Sequence, residues 1–318
     1  MIRNLNIDLR RLPGERWKLD DETARLAREL SRVYIEDLGV PGETIALVSE
    51  VARNFVPSHL LAEMQSLADQ ARVPVEHAIV CNSYYDLIKS VIGCSAFAVD
   101  SPEGPLHARN LDWHTTDELL QRSTVVCRFH GAPAGDFVTV GWPGLVGAYS
   151  GMAPGRFSVT LNAVLSEDSP ELALPVTFLL RTVLETAASY CDAVSMLAES
   201  TIPCDVLLLV TGVEAGEFCV IERTPKRSAI RDATRGRVIV TNDYLELDGQ
   251  AEAADNEIFE TSCSRFERLS SLLETRPDSL ETSLEYLSDP AVLSGITVQQ
   301  MAFRPRDGEV ICRIPSYV

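Results

Sequence analysis

The hydrophobic periodicity of this chain changes at residue 94. Before it, apolar residues recur at helical spacing; from Cys94 onward they alternate with a period of two. In the first part, Asp20 or Asp21 can cap a helix carrying Leu26, Leu30, Val33, Tyr34 and Leu38, which Gly39 and Pro41 stop. A second helix is expected over 43–55. A third is capped by Ser58, with Leu60, Leu61, Met64, Leu67 and Ala68 inward, and Pro74 separates it from a fourth over 75–91. The opening LNIDLRRL reads as an edge strand. In the second part, strands are expected at 94–100, 105–110, 123–130, 136–142, 145–152 and 156–164, parted by Gly, Pro and Asp turns. Helices at 171–187 and 190–199 follow, then strands at 205–211, 217–223, 227–232 and 236–241. Helices at 257–274 and 278–288 and a strand pair at 298–304 and 309–314 close the chain, and 248–257 is its most loop-like stretch. Strands joined by short turns, with helices in separate blocks, predict an α+β fold: two antiparallel sheets between helical layers.

With 318 residues, 46% of them hydrophobic, the chain has ample material for a core. Its net charge of −18 argues against nucleic acid, whose phosphates need Lys and Arg to displace counterions. The same charge argues against docking on anionic membranes. No apolar run approaches the roughly 18 residues of a transmembrane segment. MIRNLNIDLRRLPGERW lacks an apolar signal core, so the expected localisation is cytoplasmic. The eight cysteines (81, 94, 127, 191, 204, 219, 263 and 312) show no CxxC spacing; no zinc or other metal site is expected, and the thiols should be free. No Walker or dinucleotide motif is present, so no cofactor is implied. GAYSG places Ser150 among glycines without matching the serine-hydrolase elbow.

The chemistry concentrates at Cys94. The run from Cys94 turns at DSPEG and returns to Arg109, Asp112 and His114. That layout suits a chain that cuts itself between Gly93 and Cys94. The new α-amine, titrating near 7.7–8.0 in reference peptides, could then take the proton of the thiol on the same residue. No histidine is needed, and all five lie at or before position 130. Arg109 would favour the thiolate, and Asp112 would orient the ammonium. Residues 109 and 112 point to opposite faces of a regular strand, so the strand is expected to end or bulge near Asn110.

At these residues the chain resembles the acid ceramidase and N-acylethanolamine acid amidase family of N-terminal-nucleophile cysteine amidases, related to choloylglycine (bile salt) hydrolase and penicillin V acylase. The similar segments are NIDLRRLPGERW, LLAEMQSLADQARVPVEHAIVCNSYYDL, LVGAYSGMAPGRFSVTLN, FLLRTVLETAASYCDAVSMLAES and VIVTNDY, spread over residues 5–245. The resemblance implies a four-layer αββα sandwich. Residues 1–93 would form a mostly helical pro-segment, kept as an α fragment after self-cleavage, and 94–318 the catalytic β fragment. It assigns nucleophile and base to Cys94, the orienting pair to Arg109 and Asp112, oxyanion donation to Asn242, a shaping role to Asn162, and a late arginine to Arg265, with Arg268 as runner-up. Three departures stand out: Cys94 and Arg109 are 15 apart, one fewer than the family pattern; Ala163 follows Asn162 where the ceramidase branch carries glutamate; and the Asn242–Arg265 gap is longer.

The resulting expectation is an amidohydrolase that cleaves a small-molecule linear N-acyl amide through an acyl-thioester on Cys94, with Trp142, Leu145, Val146 and Tyr149 walling an acyl pocket. An acyltransferase using the same thioester, or an uncleaved acyl- or lipid-binding homologue, are the alternatives.

Overall fold

The computed structural model describes residues 2–88, 92–113, 116–251 and 257–316. Ahead of Cys94 lie strand β1 (Arg3–Asp8) and helices α1 (Asp21–Leu38), α2 (Gly42–Arg53), α3 (Ser58–Ala71), α4 (Val75–Asn82) and α5 (Tyr84–Ile88). Asp20 caps α1 by accepting the Thr23 N–H, and Gly39, at φ 59°, ends it in the left-handed region that glycine tolerates. The single helix expected over 75–91 is instead two. Asn82 and Ser83 donate side-chain hydrogen bonds back to the carbonyls of Ala78 and Ile79, which competes with continuation of the helix. Residues 89–91 lie outside the described residues.

After Cys94 the elements are β2 (Ile92–Val99), β3 (Leu106–Trp113), α6 (Leu119–Arg122), β4 (Val125–His130), β5 (Phe137–Gly141), β6 (Ser150–Ala153) and β7 (Phe157–Asn162). Then come α7 (Val176–Thr186), α8 (Tyr190–Glu199), β8 (Val206–Thr211), β9 (Phe218–Arg223), β10 (Ser228–Asp232) and β11 (Arg237–Val240). The chain closes with α9 (Glu257–Glu260), α10 (Ser262–Leu272), α11 (Leu280–Leu287), β12 (Thr297–Arg304) and β13 (Glu309–Arg313). Helix α7 starts later than expected because Pro175 is its N-cap. Only the end of the expected 145–152 strand forms; residues 142–149 are an irregular loop. Of the loop-like 248–257 stretch, residues 252–256 lie outside the described residues.

One sheet runs β1-β4-β5-β6-β7-β8-β9-β10, the other β11-β2-β3-β12-β13. All pairings are antiparallel except β1 with β4, the predicted edge strand lying parallel to its neighbour. Ala96 and Ala98 of β2 meet Leu207 and Leu209 of β8 between the sheets. On its other face the smaller sheet presents Phe97, Val99, Leu106 and Ala108 to Leu269, Leu280, Leu284 and Leu287 of α10 and α11. Helices α7 and α8 cover the larger sheet. These are the four αββα layers of an N-terminal-nucleophile hydrolase.

The segment before Cys94 is fastened to the sandwich by two buried clusters. Tyr34 and Tyr84 stack on Trp113 of β3, each at 5.7 Å between ring centroids, and Trp113 meets Trp142 and Tyr149 edge-on. Such pairs add about 0.5–1.5 kcal/mol each beyond area burial. Glu63 of α3, fully buried, accepts from Trp17 Nε1 (2.6 Å), Arg16 Nη1 (2.7 Å) and Arg181 Nη2 of α7 (3.5 Å). None of these contacts depends on the peptide at 93–94, so a cut there would leave both fragments joined.

Candidate active site

Strands β2 and β3 pair in register, with Cys94 opposite Leu111, Ala96 opposite Arg109 and Gly93 opposite Asp112. Alternation then sends Cys94, Ala96, Arg109 and Leu111 toward the larger sheet, and Gly93, Ser95, Asn110 and Asp112 toward α10 and α11. The end or bulge expected near Asn110 does not occur in β3 itself, which pairs regularly with β2 to Trp113; the irregularity lies in its other neighbour, β12, between Thr297 and Gln299 opposite Asp112 and Leu111. No bulge of β3 is needed, because Arg109 approaches the sulfur on one face while Asp112 lies opposite Gly93 on the other. His114 lies outside the described residues.

The Cys94 thiol is buried between the sheets and donates toward the Leu161 carbonyl at 3.6 Å. Arg109 Nη2 donates to Cys94 Sγ at 3.0 Å and to the same Leu161 carbonyl. Its Nη1 donates to the Tyr149 carbonyl (3.2 Å) and to Ser150 Oγ (2.5 Å). Ser150 therefore serves as a hydrogen-bond partner of Arg109. Among the described residues Arg109 has no carboxylate partner, although it is fully buried; its hydrogen-bond partners are carbonyls, a hydroxyl and the sulfur. A guanidinium so placed has no carboxylate at ion-pair distance among the described residues, Asp112 acting on it only across the sheet, and a thiolate at Cys94 would pair with it directly. In the uncut chain burial nevertheless pushes the thiol up from its ordinary value. The Arg109 charge opposes this, and the Asp112 charge adds to it.

On the other face Arg265 of α10 is bound to the backbone of Cys94. Its Nη1 donates to the Cys94 carbonyl and to Ser95 Oγ, both at 2.7 Å, and its Nη2 to Asn242 Oδ1 at 2.9 Å. Arg268, three residues on, turns to the surface and pairs with Asp289, which decides between the two arginines. Asn242 Oδ1 also accepts the Cys94 backbone N–H at 3.3 Å, and Asn242 Nδ2 donates to the Ala163 carbonyl at 2.8 Å. The amide is thus turned with its oxygen toward the nucleophile, because both Cys94 N–H and Arg265 are donors. Asn162 Nδ2 donates to the Thr241 and Val240 carbonyls (2.9 and 3.2 Å), and its buried Oδ1 has no hydrogen-bond partner among the described residues. Asp112 accepts from Thr297 Oγ1 at 2.6 Å. Burial pushes its carboxyl up, opposed first by the Arg265 charge, then by that hydroxyl and by Arg109.

An apolar pocket open to solvent meets this cluster at Tyr149; Cys94 itself is not among the residues that line it. Trp142, Leu145 and Tyr149 line it, together with Leu30, Tyr34 and Leu67 of the preceding helices. Val146 does not line it: its side chain is fully buried, and its backbone is held on both sides, the N–H by Asn82 and the carbonyl by Arg181. Sequence reasoning missed Asn82, Leu161 and Thr297. Their contributions come from backbone carbonyls or from contacts remote in sequence, and no spacing signals them.

His107, two residues before Arg109 on the same face, is a buried neutral ring. Its Nδ1 pairs with Ser158 Oγ (2.9 Å) and Thr211 Oγ1 (3.2 Å), and its Nε2 with Thr160 Oγ1 (2.8 Å). Burial, and then the Arg109 charge, push its pKa down to about 3. The unfolded chain takes up this proton near pH 6.5 and the native chain does not. The stability from the neutral ring is therefore present above pH 6.5 and drains away as pH falls toward 3, at about 1.4 kcal/mol per pH unit. A His107→Gln variant should flatten the urea-midpoint profile in this window; an unchanged slope would contradict the assignment.

Comparison with known proteins places this geometry. The family model described as acyl-coenzyme A:6-aminopenicillanic acid acyl-transferase matches residues 99–296, more than half of the chain, beginning just after Cys94. Acid ceramidase of Heterocephalus glaber is 29% identical over 252 residues, 68% of this chain and 63% of that protein. The N-acylethanolamine-hydrolyzing acid amidase of Caenorhabditis elegans is 26% identical over 257 residues, 70% of this chain and 67% of that protein. The chain spans between about half and two thirds of the length of the curated relatives it matches. The solved structure of a Caenorhabditis elegans N-acylethanolamine-hydrolyzing acid amidase ortholog superposes with a TM-score of 0.55 at 22% identity. The superposition covers 67% of this chain and 93% of that one, and the likeness is one of fold. With its fold shared and its sequence matched across the strands and helices that carry Arg109, Asp112, Asn162, Asn242 and Arg265, this chain belongs to the acyl-coenzyme A:6-aminopenicillanic acid acyl-transferase family of N-terminal-nucleophile amidases.

Proposed function

We propose that the chain cuts itself between Gly93 and Cys94 and then hydrolyses a linear N-acyl amide through an acyl-thioester on Cys94. The observation that carries this reading is the buried Arg109 guanidinium, 3.0 Å from Cys94 Sγ and without a carboxylate partner among the described residues. In the cut, Sγ adds to the Gly93 carbonyl carbon. The C–N bond to Cys94 breaks as the thiol proton passes to that nitrogen, and water then splits the thioester to a Gly93 carboxylate. The freed amine stays beside Asn242 Oδ1, which already accepts that nitrogen's hydrogen. In turnover the amine takes the Cys94 proton and the thiolate adds to the amide carbonyl. The ammonium returns the proton to the leaving amine, and a water activated by the same group hydrolyses the thioester. Asn242 Nδ2 is the proposed oxyanion donor once Ala163 releases it, Asn162 shapes the same face, and Asp112 with Arg265 steadies the ammonium end.

An apolar acyl group is favoured by the pocket walled by Trp142, Leu145 and Tyr149. The curated relatives are named for ceramide and N-acylethanolamine cleavage, both N-acyl amides. The family model is named for an acyl transfer, which favours a second reading in which an amine replaces water as acceptor. A panel of N-acyl amides with tails of different length tests both. Acid-quenched mass spectrometry should find one acyl group on Cys94, and free acid should form without added amine. Exclusive transfer to an added amine would favour the transferase. Turnover with no Cys94 adduct, retained in Cys94→Ala, would overturn both readings.

A further inference from the structure

Asn82 is the last residue of α4, in the fragment that precedes the scissile bond, and is 1% exposed. Its side chain makes all four hydrogen bonds available to an amide. Nδ2 donates to the Ala78 and Gly144 carbonyls, both at 2.9 Å. Oδ1 accepts the backbone N–H groups of Val146 (2.7 Å) and Gly147 (3.3 Å). Its own carbonyl accepts from Thr177 Oγ1 of α7 at 2.9 Å. Three of the side-chain bonds go to one irregular loop, 142–149, on the other side of the cut. That loop carries Trp142, Leu145 and Tyr149 into the apolar pocket, which Asn82 itself also lines. It ends at the Tyr149 carbonyl, which, with Ser150 Oγ, fixes Arg109 Nη1; Nη2 of the same guanidinium holds Cys94 Sγ.

We propose that Asn82 is a positioning residue through which the α fragment sets the 142–149 loop, and with it both the acyl pocket and the Arg109–Cys94 contact. The Asn82 amide anchors this irregular loop at two points, its donor at the Gly144 carbonyl and its acceptor at the N–H groups of 146 and 147, so that reversing either one displaces the loop. This rests on the reading of Cys94 as nucleophile, and it gives the cut-off fragment a role in turnover beyond covering the core.

The test uses the full-length, self-processed protein carrying Asn82→Asp, which keeps the size and the acceptor of the 146 and 147 N–H groups but sets a carboxylate oxygen in place of the donor against the Gly144 and Ala78 carbonyls, repelling the start of the loop. The probes are N-dodecanoyl and N-butanoyl amides of 7-amino-4-methylcoumarin, and the rate of Cys94 alkylation by iodoacetamide against pH. A displaced loop should cut kcat/KM for the dodecanoyl probe about 100-fold, the scale expected for a small misplacement of a catalytic group. The butanoyl probe should lose about 10-fold, and the alkylation midpoint should rise by about one pH unit as Arg109 loosens. A residue that only stabilises the fold would lower the melting temperature without moving that midpoint or the ratio of the two probes. Thr177→Val, which removes only the hydroxyl bonded to the Asn82 carbonyl, should shift the same quantities in the same direction by a smaller factor, and serves if Asn82→Asp does not fold. Wild-type values in a folded Asn82→Asp would overturn the proposal, as would wild-type values in Thr177→Val if that variant must stand in. If the wild type cleaves neither probe, a raised alkylation midpoint in the variants still supports the positioning role while counting against the amide-hydrolase reading.

Discussion

Cys94→Ala is expected to remain one uncut chain and to lose turnover by about 10⁴- to 10⁶-fold, the scale seen when a nucleophile is removed and only binding and oxyanion stabilisation remain. The reason lies in the double use of one residue. In the proposed mechanism the same sulfur opens the Gly93 peptide and later carries the acyl group, and the nitrogen that the first reaction frees is the base for the second. The substitution should leave the fold intact. The thiol accepts one bond from Arg109 and donates one long bond to Leu161, and its β carbon alone still separates the sheets. Cys94→Ser separates the two uses: a hydroxyl can still be freed with its amine, but its much higher pKa should slow both steps. Self-cleavage and acyl-enzyme formation followed by mass spectrometry give the two readouts. Full turnover in the alanine variant would remove Cys94 from the mechanism.

Arg109→Met is expected to fall next, by about 10³-fold in kcat/KM. A unit charge 3.0 Å from the sulfur is worth up to about 5 kcal/mol at an effective dielectric constant near 20, or roughly four pKa units before relaxation. Without it, burial acts unopposed except by weaker hydrogen bonds, and the thiolate becomes rare at neutral pH. The alkylation profile of Cys94 should move to higher pH by at least two units by the same reckoning. Arg109→Lys should recover part of the loss. It restores the charge but not the fork that spans Tyr149, Ser150, Leu161 and the sulfur at once. A methionine variant with an unchanged profile would show that the guanidinium does not tune the thiol.

The layering was legible because period and punctuation agree with burial. β2 is mainly apolar and β3 interleaves apolar residues with the chemistry-bearing His107, Arg109, Asn110 and Asp112; the DSPEG turn joins them, and both faces of both strands are buried. The helical start was legible from capping residues such as Asp20 and Gly39. Arg109 was legible as a permanent charge on the return strand of a hairpin. The error at Asn110 came from asking both Arg109 and Asp112 to reach the sulfur. The strand instead places Arg109 against the sulfur on one face and Asp112 on the other, where it accepts from Thr297. Residues 145–149 read as the start of a strand; they instead close the 142–149 loop, whose N–H groups at Val146 and Gly147 bond to the Asn82 side chain rather than to a neighbouring strand. Arg265 and Arg268 could not be told apart by spacing, since both lie on one helix; the partner of each decides, Cys94 for the first and Asp289 for the second.

The state of one peptide bond governs the rest. Intact-mass spectrometry of freshly purified and aged wild-type protein should find two species, residues 1–93 and 94–318, co-migrating in native gel filtration, with activity rising in step with the fraction cut. Activity in protein whose mass corresponds to the single 318-residue chain would contradict the mechanism, because an amide nitrogen at Cys94 cannot act as its base.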